Sequence, residues 1–152
     1  MSHGIRMGRY ALAGGVLVAA LCFAATPQEV QKVRHEHYEE LGDAFKSVRD
    51  GAKASTPDFA AIEKAAQIVS KATVNQEQWF PKGSGPEAGK TRALPEIWSK
   101  PDEFAAAAKK FEGAAPALLA AAKAKDVDAV NKAFREVGGA CKNCHDNFRA
   151  PE

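Results

Sequence analysis

The chain has 152 residues, with 21 Lys and Arg against 19 Asp and Glu and an apolar fraction of 45%. That length suits one domain wrapped around one site rather than two. The near balance of charge, without a basic stripe interleaved with aromatics, excludes a nucleic-acid surface.

Residues 1–9 carry Arg6 and Arg9, and residues 10–25 follow as an apolar, Ala-rich run without a charge. This is the pattern of a secretory signal peptide. The run is shorter than the roughly 20 residues of a spanning helix, so membrane insertion of the mature chain is not expected. Cleavage after Ala24 puts Cys22 and Ala24 at the two small-residue positions. Leu21 before Cys22 argues against a lipid-attachment site. The expected organisation is a cleaved leader over 1–24 and a periplasmic domain over 25–152. Loss of Arg6 and Arg9 leaves 19 basic and 19 acidic residues, and Met1, Met7 and Cys22 leave with the leader. The mature chain then has no Met and two cysteines, Cys141 and Cys144.

Thr26-Pro27-Gln28-Glu29 combines an N-cap Thr, Pro at the first helical position and a Glu that closes a capping box. The first helix carries Val30, Val33, Arg34, Tyr38, Leu41, Phe45 and Val48 at three- and four-residue steps and should end near Asp50-Gly51. Thr56-Pro57-Asp58 opens a second helix, with Phe59, Ile62, Ala66, Val69 and Thr73 on one face, running to about Gln78. A Gly- and Pro-punctuated loop follows from Trp79 to Pro95, long enough to expect a function for it. The third helix starts after Ser99-Lys100-Pro101-Asp102 and carries Phe104, Ala108, Phe111, Ala115 and Leu118, with a kink expected at Pro116. Asp126 is the expected N-cap of a fourth helix, whose stripe is Val130, Phe134, Val137, Cys141, Cys144, His145 and Phe148. Gly138-Gly139 in its interior suggests a close approach of backbone to something bulky. Four helices with one long connection, between the second and third, give an all-α antiparallel four-helix bundle.

Cys141-Lys142-Asn143-Cys144-His145 is a c-type haem attachment motif, in which two thiols add to the haem vinyl groups and the imidazole is an axial iron ligand. Positions i, i+3 and i+4 place all three on one helix face. A zinc site would need a second ligand pair, and His35 and His37, two apart on a helix, lie on different faces. A thioredoxin-like dithiol would need a strand before its helix, and no segment alternates as one. Covalent attachment of one haem c is therefore the expected use of the two thiols.

An exported bundle whose last helix ends in this motif resembles cytochrome c′, the class II c-type cytochromes. The resemblance spans the mature chain. It includes Arg34 in Val-Arg-His-Glu-His-Tyr, Leu41-Gly42, Phe80-Pro81-Lys82-Gly83, the segment Thr91-Arg92-Ala93-Leu94-Pro95-Glu96-Ile97-Trp98, and Phe148-Arg149. It implies that Arg34, with His35, Thr91 and Arg92, forms the region of the haem propionates, although His35 stands where relatives commonly have Gln. It implies that Tyr38 lies in the distal pocket, where six-coordinate relatives of the cytochrome c556 type place a ligating Met, and that Arg149 lies on the proximal side near His145. The expected function is a monohaem c-type cytochrome with five-coordinate, high-spin haem that binds nitric oxide or carbon monoxide, transfers single electrons, or both. The alternative is a six-coordinate carrier of the c556 type. No acid–base pair, nucleophile constellation or phosphate loop points to an enzyme. The resemblance also implies a homodimer through the first two helices, and the redox role implies small redox partner proteins.

Overall fold

A computed structural model describes residues 25–151, so the expected leader, its cleavage point and Cys22 lie outside the described residues. Four long helices form the bundle: α1 (Pro27–Lys53), α2 (Phe59–Ala72), α4 (Pro101–Lys123) and α5 (Val127–Phe148), with a short α3 (Glu96–Ser99) in the long connection. No strand occurs among the described residues beyond an isolated bridge between Ala93 and Arg149.

Local chemistry sets the helix starts. The capping box of α1 is formed, with Glu29 N donating to Thr26 Oγ1 at 3.2 Å and Thr26 N donating to Glu29 Oε2 at 2.6 Å. This satisfies two backbone donors that have no helical partner. Asp58 caps α2 by accepting from Ala60 N and Ala61 N, and Asp126 caps α5 by accepting from Ala129 N at 2.9 Å.

The second helix is shorter than the pattern suggested, ending at Ala72 instead of about Gln78. Thr73 Oγ1 donates back to Ser70 O at 2.8 Å, and Asn75 takes a left-handed conformation with φ 54°. That conformation stops a helix, and Asn tolerates it better than most residues. The next turn, Gln76–Trp79, is a separate 3₁₀ helix. In α1, Val33 is 47% exposed and lies off the buried face, which runs through Arg34, Leu41, Ala44, Val48 and Ala52. The helix continues to Lys53, past Asp50-Gly51. Helix α4 extends past Pro116 to Lys123, although Pro116 has no N–H to donate to the helical ladder.

The main core joins Val48, Ile62, Val69, Leu118, Val130 and Val137, each at most 1% exposed. A second cluster of Ile97, Phe104, Ala107 and Phe148, backed by Phe80, Trp98 and Cys144, lies under the long connection. That connection is clipped to the end of α5: Leu94 N donates to Phe148 O at 3.0 Å and Ala150 N to Arg92 O at 2.8 Å. An added Cβ at Gly138 would reach Phe45 at 3.6 Å, an ordinary contact, and one at Gly139 would meet nothing within 4 Å.

Candidate functional site: a cavity between α1, α4 and α5

A cavity of about 1310 Å³ lies between α1, α4, α5 and the long connection. It exceeds the roughly 300–1,000 Å³ of ordinary small-molecule sites. Cys141, Cys144 and His145 line it from α5, Arg34, His35 and Tyr38 from α1, and Thr91 and Arg92 from the connection, with Arg149 at the end of α5. Every candidate site residue read from the sequence therefore meets at this one cavity. Its apolar wall is Phe80, Ile97, Phe104 and Phe111.

Cys141 and Cys144 are free thiols, each half-buried. Burial, with Cys144 nearby, pushes the Cys141 thiol up to about 11, and burial raises Cys144 as well. Both are thus neutral at ordinary pH. His145 is exposed at the cavity edge. Partial desolvation, reinforced by Arg149 and Arg92 and opposed by Asp146, lowers its pKa, which favours the neutral imidazole that binds metals. Arg149 is exposed, and its backbone N–H closes α5 on His145 O at 3.2 Å.

Arg34 is 4% exposed and organises the connection. Its Nη1 donates to Trp79 O at 3.1 Å and Ser84 Oγ at 3.0 Å, and its Nη2 to Ser84 O at 2.8 Å and Thr91 Oγ1 at 3.5 Å. The guanidinium also lies over the Phe80 ring, 4.5 Å from its centroid. Four of its five N–H groups are thereby used, leaving the one on Nε. Burial lowers its pKa, with Tyr38 acting in the opposite direction. Arg92 donates from Nε and Nη2 to Ala150 O at 3.0 and 2.9 Å, tying the connection to the chain end. His35 is exposed and faces Glu39, with 3.4 Å between Nε2 and Oε1.

Tyr38 is half-buried, its ring edge-on to Trp79 at 5.2 Å and tilted against Phe80 at 6.3 Å. Burial, reinforced by the neighbouring thiols and opposed by Arg34, pushes the phenol well above its usual range, so it stays protonated. His37 is outside the cavity lining, exposed and resting on Trp79 with ring centroids 4.9 Å apart. Sequence reasoning missed Ser84, Gln31 and Gln76. Ser84 is 1% exposed and accepts from Arg34. Gln31 donates to Gly85 O at 2.6 Å, and its place one turn before Arg34 on α1 was the available signal.

The donor set fits covalent haem. Two thiols and an imidazole share one helix face at the wall of a large, aromatic-lined cavity, which is the arrangement that haem c requires. Among the described residues no group of three or more His, Cys, Asp or Glu could hold a bare metal ion.

A family model described as Cytochrome C′ matches residues 29–149. The chain belongs to the cytochrome c′ family. The cytochrome c′ of Pararhodospirillum photometricum is 36% identical over 125 residues, 82% of this chain and 99% of that protein. A cytochrome c-556 of Rhodopseudomonas palustris is 29% identical over 150 residues, 96% of this chain and 99% of its own length. Among solved structures, a cytochrome c′ described as having an unusual ligand-controlled dimer dissociation aligns with TM-score 0.78 at 28% identity, covering 85% of this chain and 100% of its own. The nitric oxide complex of a variant cytochrome c′ from Alcaligenes xylosoxidans aligns with TM-score 0.75 at 28% identity, covering 86% and 100%. Cytochrome c′ proteins carry covalently bound haem c, and this family member has the thiols to hold it.

Proposed function

We propose that this cytochrome c′ family protein is an exported, periplasmic monohaem cytochrome, not an enzyme, whose iron has one strong protein ligand. Residues 1–24 are the leader and 25–152 the haem domain. Cys141 and Cys144 form the thioether bonds and His145 is the axial ligand. Haem supplies one-electron redox chemistry and an iron able to bind a diatomic gas. Arg34 holds the loop over the cavity and, through its remaining Nε–H and its charge, serves the propionate region with His35, Thr91 and Arg92. Arg149 adds a cation on the His145 side.

The observation that carries this reading is the α1 wall. On it stands Tyr38, a half-buried phenol that stays protonated and is a poor iron ligand in that form. The only Met residues are Met1 and Met7. His37 points its ring to Trp79 outside the cavity lining. Tyr38 then acts as a lid, and the ligands are nitric oxide or carbon monoxide. The nitric oxide complex of a similar cytochrome c′ supports that choice. Electron transfer with small redox proteins uses the same haem. The test is the absorption spectrum of the ferrous protein before and after carbon monoxide. A shifted spectrum is expected, and a low-spin spectrum unmoved by the gas would favour the six-coordinate, c-556-like alternative.

The protein is further proposed to be a homodimer through α1 and α2. Val33 on α1 and Val74 just beyond α2, 47% and 48% exposed, are the large apolar side chains left on its described surface. Sedimentation with and without carbon monoxide measures the dimer and whether ligand alters it.

A further inference from the structure

The amide of Gln76 is a polar group with an unmet hydrogen bond at the wall of the gas-binding cavity. Gln76 is 4% exposed, lines the cavity, and its Nε2 is buried without a hydrogen-bond partner. An unpartnered buried donor is costly, so such a group in a folded protein calls for an explanation. Its position supplies one. Gln76 opens the 3₁₀ turn Gln76–Trp79. Gln76 and Tyr38 both line this cavity. The terminal torsion of a Gln side chain is broad, which lets the amide turn its N–H groups to the cavity at little cost.

We infer that Gln76 donates a hydrogen bond to a polar ligand held in the cavity beside Tyr38, a diatomic gas or a water molecule in its place. This rests on the open-faced reading above and adds the residue that recognises the ligand. The cavity then discriminates by polarity as well as size, favouring a ligand whose outer atom accepts a hydrogen bond.

The test compares the haem-loaded wild type with Gln76→Met, which keeps the reach and loses the donor, and with Gln76→Leu as a second apolar variant. Three readouts apply: the C–O stretch of the ferrous carbon monoxide form, its shift in D₂O, and the carbon monoxide dissociation rate. A donor lowers the stretch and makes it sensitive to D₂O. The variants should therefore show a higher stretch, no D₂O shift and dissociation about fivefold faster, the scale of one hydrogen bond. The ligand-free variants should be no less stable than wild type to urea, because the amide they lose had no protein acceptor. Carbon monoxide bound with the same stretch and rate in all three proteins would overturn the inference, as would a stability loss showing that the amide already has a protein partner. A wild-type ferrous spectrum unmoved by carbon monoxide would instead overturn the open-faced reading itself, and this inference with it.

Discussion

Arg34→Met tests whether one guanidinium holds the long connection across the cavity. Met keeps most of the aliphatic stem and carries no donor. The change removes the bonds to Trp79 O, Ser84 Oγ and Ser84 O, at 3.1, 3.0 and 2.8 Å. The 3.5 Å contact with Thr91 is at the limit of a hydrogen bond and adds little. Ser84 O retains a donor from Gln31 at 3.3 Å, so Trp79 O is the carbonyl that loses its Arg34 donor without that relief. Charge-assisted bonds to the two carbonyls contribute about 1.5 kcal/mol each, and the cation over Phe80 about 1 more. Relief of a buried charge returns about 2 kcal/mol of that total. The net loss is about 2 kcal/mol, which moves a urea midpoint down by about 1 M at ordinary slopes. Urea unfolding of the haem-loaded protein, followed by circular dichroism, measures it. Tryptic cleavage at Lys82 and Lys90 under native conditions should also speed up. Arg34→Lys should recover only part of the loss, because one ammonium cannot reproduce the fork of donors. An unchanged midpoint with unchanged cleavage would refute Arg34 as the anchor, and full recovery by Lys would refute the geometric part of the argument.

Three further outcomes are expected. Tyr38→Ala should speed carbon monoxide association on the order of tenfold, equivalent to about 1.4 kcal/mol of steric barrier; unchanged flash-photolysis kinetics would count against a lid. Gly139→Ala should raise stability by about 0.5–1 kcal/mol, since its added Cβ meets nothing within 4 Å and helical Gly is costly, and a lower melting temperature would mean that the site is crowded. The Thr26 backbone and hydroxyl hold the Glu29 carboxyl below its ordinary value of 4.5. Its stabilisation is therefore present above about pH 4.5 and lost as pH falls through the lower folded value. Glu29→Gln should flatten that acid limb of the stability profile, and an unaltered limb would assign it to other carboxylates.

Features written in a few adjacent residues were legible from the sequence. The Thr26–Glu29 box, the Asp126 cap and the α5 stripe from Val130 to Phe148 depend on local spacing, and all are formed. The premature end of α2 was not legible, because the apolar period continues past Ala72 while Thr73 and Asn75 break it through their own backbone bonding. Extending that helix also hid Gln76, which sits in a turn of different pitch. Arg34 was read as a cation on an apolar face in need of a partner, with a haem propionate the expected one. Its partners in the connection, Ser84 and Thr91, lie 50 and 57 residues away, a separation no periodicity encodes. Val33 matched the spacing but falls on the edge of the stripe, where one step of about 100° decides between core and solvent.

The central claim is that His145 is the one strong ligand of the haem iron. The ferric spin state at neutral pH, read by electron paramagnetic resonance, tests it most directly. A high-spin signal that turns low-spin when an external strong-field ligand such as cyanide is added is the predicted result. A low-spin signal from the untreated protein would mean that a second side chain closes the iron, and would contradict the account.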